Sequence, residues 1–131
     1  MKEEILLRHL SRWSLPFVWG NADCMMSVFN YVNDFPHISG DVGVKWRQTY
    51  SDEAGAARVL EAAGGGLAGM NEALIAAGLK FAIRPERGDP VCARIDGNEI
   101  GGIYLGKMTA FRLDGRGRID AHIKHIGAWR L

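Results

Sequence analysis

Leu67-Ala68-Gly69-Met70-Asn71-Glu72-Ala73-Leu74-Ile75-Ala76-Ala77-Gly78, followed by Leu79-Lys80-Phe81-Ala82-Ile83, contains the change of period that decides the fold. Up to Gly78, Leu67, Met70, Leu74 and Ala77 recur at helical spacing, and a glycine just past the last of them is a helix stop. Beyond it the apolar residues alternate. Phe81 and Ile83, then Val91, Ala93 and Ile95, fall on one face of successive strands. Asp96-Gly97, Gly106-Lys107 and Asp114-Gly115 are hairpin-type turns at short intervals, so the C-terminal part reads as an antiparallel meander.

Working back toward the N-terminus, every segment is helical or irregular. Ser51, with Asp52 and Glu53 in the first turn, opens a helix whose small face is Ala56, Ala57, Leu60 and Ala63, and Gly64-Gly65-Gly66 stops it. Pro36 to Tyr50 carries Gly40 and Gly43 between short mixed stretches and reads as a surface connection. From Asn21, a good N-cap, Cys24, Val28, Tyr31, Val32 and Phe35 recur at helical spacing as far as Pro36. This helix, 22 to 35, is expected to be central to the core. Ile5, Leu6, Leu10 and Trp13 mark a first helix that ends before Pro16. Helices come first and sheet second, with no repeat or linker, which gives an α+β class and one domain over residues 1–131.

With 131 residues, 47 % hydrophobic and 24 % charged, the chain has material for one core and too little for two typical domains. The net charge of +1 is spread without blocks, so nucleic acid is not an expected partner. No apolar run approaches the roughly 20 residues that span a bilayer, and the start Met1-Lys2-Glu3-Glu4-Ile5 is acidic where a signal peptide would be basic. Synthesis in a cytosol without an export signal, and no membrane insertion, are the expectations. Cys24 and Cys92 are too few for a disulfide framework and default to thiols there.

With Asn21 as cap, Cys24 would lie at the third helical position, near unpaired N–H groups and the positive end of the helix dipole, which favours thiolate. The adjacent Asp23 acts in the opposite direction. Cys24 is therefore either a candidate nucleophile or a small buried hydrophobe on an apolar helical stripe.

Phe17-Val18-Trp19-Gly20-Asn21-Ala22-Asp23-Cys24, then Arg87-Gly88-Asp89 before a strand, then Gly102-Ile103-Tyr104-Leu105-Gly106, resemble in order the nucleophile-helix start, the Gly-Asp turn and the Val-Gly-Ile-Tyr-Leu-Gly strand of NlpC/P60-type cysteine hydrolases. The resemblance implies a papain-like helix-on-sheet core with the cysteine at a helix start facing the sheet. Active members carry a histidine two residues before the glycine of that strand; Ile100 stands there, and isoleucine takes no proton from a thiol. A longer pattern, Phe17-x-Trp19-Gly20-x-x-Asp23-Cys24 with Tyr50, Ala54 to Leu60, Arg87-Gly88-Asp89, a Leu-Gly strand and Ala128-Trp129-Arg130, resembles a family of small phage, prophage and gene-transfer-agent proteins of uncharacterised function. Their genes typically lie near tail-tip genes, which implies a virion tail component assembled in the bacterial host cytoplasm. Members often have a histidine just before Asp-Cys, where this chain has Ala22.

Read as one strand, Arg118 to Ile126 would place Arg118, Asp120, His122 and Lys124 toward water, and Ile119, Ala121, Ile123 and His125 toward the core. His125 is then the surrogate base available to Cys24, or a hydrogen-bonded core histidine. His9 and His37 read as structural or solvated. The Arg87-Gly88-Asp89 tripeptide before Pro90 reads as a turn, the four tryptophans as core or contact residues, and no metal spacing or phosphate loop is present, so no cofactor and no metal is expected.

Two functions follow. One is a structural tail-tip or baseplate component whose partners are other tail proteins, with Pro36 to Tyr50 and Trp129-Arg130-Leu131 as contact surfaces. The alternative is an active cysteine peptidase or amidase cutting peptidoglycan peptides during infection, with Cys24 as nucleophile and His125 as base.

Overall fold

A computed structural model describes residues 1–113, 116–120 and 123–131. Four helices, α1 (Lys2–Arg12), α2 (Cys24–Asn33), α3 (Glu53–Ala62) and α4 (Gly66–Ala76), precede six strands, β1 (Lys80–Phe81), β2 (Pro90–Ile95), β3 (Asn98–Tyr104), β4 (Thr109–Leu113), β5 (Arg116–Asp120) and β6 (His125–Arg130). The class is α+β. The sheet is antiparallel throughout, but it is not a plain meander, because its order is β1-β6-β2-β3-β4-β5. Strands β2 to β5 follow one another, and β6 returns to the free side of β2.

That return requires curvature. In a flat sheet β4 and β6 would be roughly 14 Å apart, three strand spacings. Thr109 Oγ1 on β4 nevertheless shares a 2.6 Å hydrogen bond with His125 Nε2 on β6. The sheet curls into an open barrel whose concave side encloses Ala93, Ile95 and Phe111, with Ile100, Leu113 and Ile123 packed on them. Gly102 permits the curl: a Cβ there would stand 2.7 Å from the Phe111 ring.

The convex face carries the main core. Met25, Met26, Val28, Phe29, Tyr31 and Val32 of α2 are all buried, so this helix is apolar around most of its circumference and sits between sheet and other helices. Its cap is Asp23 rather than Asn21. Asp23 is extended, and its Oδ1 accepts from Met25 N at 3.1 Å and Met26 N at 2.8 Å, whereas Asn21 closes a turn onto the Val18 carbonyl. Cys24 is thus the first helical residue. Asp52, not Ser51, caps α3 through Gly55 N. Helix α4 begins against β3, where Glu99 Oε1 accepts from Leu67 N and a Cβ on Gly66 would meet the Glu99 carbonyl at 2.6 Å.

Three C-terminal expectations are corrected. The strand expected over 118–126 is two: β5 ends at Asp120 and β6 starts at His125, with β6 pairing β2 instead of continuing β5. Ile119 is 59 % exposed, so it is not a core residue. Phe81 and Ile83 are 55 % and 95 % exposed, because β1 pairs only at Lys80↔Arg130 and Phe81↔Trp129 and ends at the sheet edge before Ile83. Of the two readings of Trp129, core or contact, the structure shows the core one: it is fully buried and donates Nε1–H to Asn71 Oδ1 at 3.0 Å. The Asp114-Gly115 turn, Ala121 and His122 lie outside the described residues.

The Pro36 to Tyr50 segment has little regular structure, as expected, yet it is tied to α2. Asp41 accepts from Arg47 Nε at 2.6 Å and from Asn33 Nδ2 at 2.8 Å, and Arg47 Nη2 donates to Asn30 Oδ1. The hydrogen bond from Arg47 holds the Asp41 carboxyl down at about 2. A depressed carboxylate adds stability that is complete above its unfolded value near 3.8 and vanishes as pH falls through about 2. After solvent screening the contribution is on the order of 1 kcal/mol. Asp41→Asn is therefore expected to lower the melting temperature at pH 6 and to converge with the unmodified chain near pH 2, as read by circular dichroism melts across that range.

Candidate functional site

The segment leading into α2 doubles back tightly. Gly20, at φ 85°, accepts from Gln48 N at 2.9 Å, and a Cβ on it would stand 2.4 Å from the Tyr50 carbonyl. Only glycine fits there, and its fit brings residues 48–50 over the helix start. Tyr50 OH donates to Asp23 Oδ2 at 2.5 Å, and Gly20 N donates to the same oxygen at 2.9 Å. Asp23 is buried, with four donors on one carboxylate.

Cys24 sits beside this cluster, half-buried, at the floor of a cleft lined by Trp19, Tyr50, Met26, Phe29, Trp46, Val59 and Leu60. The cleft is a mainly apolar space of about 460 Å³ counted out to its mouth. Burial, reinforced by the Asp23 charge, pushes the Cys24 thiol up to about 12. The Met25 and Cys24 N–H groups favour the thiolate but are outweighed by burial and the Asp23 charge, and the Met25 and Met26 N–H groups also serve the Asp23 carboxylate. Burial and the same carboxylate also raise the Tyr50 phenol, so it stays protonated as a donor. Cys92 on β2 is fully buried and its thiol too is pushed up to about 12, first by burial; both cysteines are free thiols.

A family model described as a domain of unknown function (DUF6950) matches residues 4–131. The chain belongs to the DUF6950 family. No curated protein and no solved structure matches it. In this DUF6950 member the two residues singled out for chemistry are not brought together. His125 is on the concave side of the sheet, bonded to Thr109 and edge-on to Tyr104, with its imidazole lowered by burial, whereas the Cys24 cleft is on the helix side. Ile100 packs into the concave cluster. His9 Nε2 is bonded to Asp34 Oδ2 at 2.6 Å, and His37 lies against Phe35. Among the described residues no imidazole lines the Cys24 cleft, and no group of three or more potential ligands could hold a metal. Among the same residues, no helix is long and apolar enough to cross a membrane.

Sequence reading missed Tyr50 as part of this site and underweighted Asp23. The available signal was Asp23 as a good N-cap directly before the helical stripe, which marks the cap but not its burial. Nothing local indicated that Tyr50, 27 residues further on, would reach it.

Proposed function

We propose that this protein is a non-catalytic structural component of a phage-type tail tip or baseplate, built on an NlpC/P60-like core whose nucleophile site has become a packing site. The observation that carries the non-catalytic part is the commitment of the Asp23 carboxylate to the Met25 and Met26 N–H groups beside a desolvated Cys24 thiol. That arrangement stabilises the helix start and disfavours the thiolate that nucleophilic attack needs. The papain-like part is supported by a cysteine at the first position of a helix packed on an antiparallel sheet. The tail assignment is supported by the sequence pattern ending in Ala128-Trp129-Arg130.

An assembly role needs an exposed contact surface. Phe81 and Ile75 line one open groove at the β1 edge, and Ile83 projects next to it in sequence, 95 % exposed. Ile83→Asp is expected to leave the melting temperature unchanged within about 1 °C, since a fully exposed position contributes little to folding, and to lower incorporation into particles severalfold. Quantitative mass spectrometry of purified virions reads this. Undiminished incorporation would remove the edge as a contact.

The whole reading is tested by cryo-EM of particles together with peptide release from purified peptidoglycan. Density for the chain in the tail tip and no release are expected. Peptide release that disappears in Cys24→Ser would replace this reading with the cysteine peptidase, whose partner is peptidoglycan.

A further inference from the structure

Arg112 on β4 points at the helix layer and is only 5 % exposed. Its hydrogen-bond acceptors among the described residues are neutral. Nη2 donates to the Leu15 carbonyl at 2.7 Å and the Pro16 carbonyl at 3.1 Å, and Nη1 donates to Ser27 Oγ at 3.3 Å. The Nε–H has no acceptor. A guanidinium carries five N–H donors, so a second Nη1–H is also left over. Among the described residues no carboxylate is bonded to it, whereas buried arginines are ordinarily matched to one because an unpaired buried charge is costly. The nearest carboxylate by field is Asp23, and its oxygens are occupied by Gly20, Met25, Met26 and Tyr50 on the far side of the helix start.

Arg112 lines an open groove of about 540 Å³ between α1, the 13–16 turn and α2. His9, Arg12, Trp13, Ser27 and Asn30 line it too, and none of its lining residues is acidic. Arg12 is exposed, in the last turn of α1, so the groove has one cation at its floor and another at its rim. The Asp34 carboxylate near His9 is already held by His9 Nε2 and Arg8. A buried cation without a bonded carboxylate among the described residues and open space therefore coincide here, away from the Cys24 cleft.

We propose that this groove binds the oxyanion group of a small ligand, a carboxylate or a phosphate, with Arg112 as the charge partner at its floor and Arg12 at its mouth. The anion supplies a counter-charge and accepts from the Nη1–H that Ser27 leaves over, while the enclosed Nε–H gains from the added negative charge alone. The inference does not depend on whether the chain is a tail component or a peptidase.

The test is a backbone amide NMR titration of the full chain with sodium phosphate and, separately, sodium acetate, each against sodium chloride at equal ionic strength. Saturable shifts at Ser27, Asn30 and Leu15 are expected with at least one oxyanion and not with chloride. The salt that saturates at lower concentration identifies a phosphate-type or a carboxylate-type ligand. Arg112→Gln should abolish the shifts, and Arg12→Gln, an exposed change that leaves the fold intact, should weaken binding roughly tenfold, the loss of one charge-assisted contact. If Arg112→Gln fails to fold, Arg12→Gln alone decides. Shifts that are linear, equally large with chloride, or unaffected by Arg12→Gln overturn the proposal.

Discussion

Asp89→Ala is expected to destabilise the fold by about 3 kcal/mol, through loss of a buried carboxylate that leaves several hydrogen-bond donors without their acceptor. The Asp89 side chain is fully buried in the turn before β2, where one local N–H and three groups from the two ends of the chain meet it. Oδ2 accepts from Glu86 N and Arg130 Nε, both at 2.8 Å, Oδ1 accepts from Leu131 N at 3.1 Å, and Lys2 Nζ approaches to 3.6 Å. Alanine would leave the Arg130 Nε–H and the backbone N–H groups of Glu86 and Leu131 without their acceptor, although Arg130 would keep its bonds to Glu86 and the Arg84 carbonyl, and it would loosen the end of β6 that holds Trp129 in the core. For a domain of this size the melting temperature should fall by roughly 10–15 °C. Asp89→Asn, which keeps one acceptor oxygen, should lose less. A thermal melt by circular dichroism reads both, and an unchanged melting temperature for Asp89→Ala would show that the cluster carries no net stability.

This cluster also explains what the Arg87-Gly88-Asp89 tripeptide is. Its Asp is buried and its Arg donates to Glu3 at 2.6 Å, so the three residues form a turn and not an adhesion loop. That much was legible in the sequence, because Pro90 and the following alternation of Val91, Ala93 and Ile95 constrain the turn locally. The four helices and strand β2 were legible for the same reason, since their periodicity is carried by neighbours within one element, whereas β3 and β4 were legible only from the Asp96-Gly97 and Gly106-Lys107 turns that bound them. The position of β6 was not. It is set by pairing of Val91 with Ala128 and Cys92 with Gly127, and by the curl that lets His125 reach Thr109, none of which leaves a local pattern. The split of the expected 118–126 strand has the same origin, since alternation fixes the faces of a strand but not the partner it pairs with.

The candidate site divides in the same way. Cys24 at a helix start was legible from a capping residue followed by a helical stripe, although the cap is Asp23 and not Asn21. The two-residue difference reverses the electrostatics. Three positions inside a helix, a thiol would have free N–H groups beside it, whereas immediately after an aspartate cap it shares them with a carboxylate whose charge opposes the thiolate. The separation of Cys24 from His125 was not legible, because it depends on which side of a curled sheet each residue occupies, and that is a property of the assembled strands.

Native Cys24 is expected to react with iodoacetamide at neutral pH far more slowly than an unperturbed thiol. Raising the thiol from 9.0 to about 12 reduces the thiolate fraction at pH 7 by roughly a thousandfold. A more basic thiolate is also a better nucleophile, and with the usual dependence this recovers roughly 20-fold, leaving a net slowing of about 50-fold. Cys92, whose thiol is equally raised and which has no exposed surface, should be slower still through restricted access. In denaturant both should label at the rate of a free peptide thiol. Because Cys24 should titrate at about 12, its native rate is expected to climb steadily with pH up to 10 without a plateau. Mass spectrometry of the two cysteine peptides, across pH and with and without denaturant, separates these rates. Cys24→Ser should then cost on the order of 1 to 3 kcal/mol, because a hydroxyl replaces a desolvated thiol, while particle assembly is retained. Rapid native labelling of Cys24 that plateaus below pH 8 would mean that the helix start stabilises the thiolate after all, and the packing interpretation of Asp23-Cys24 would give way to a nucleophile.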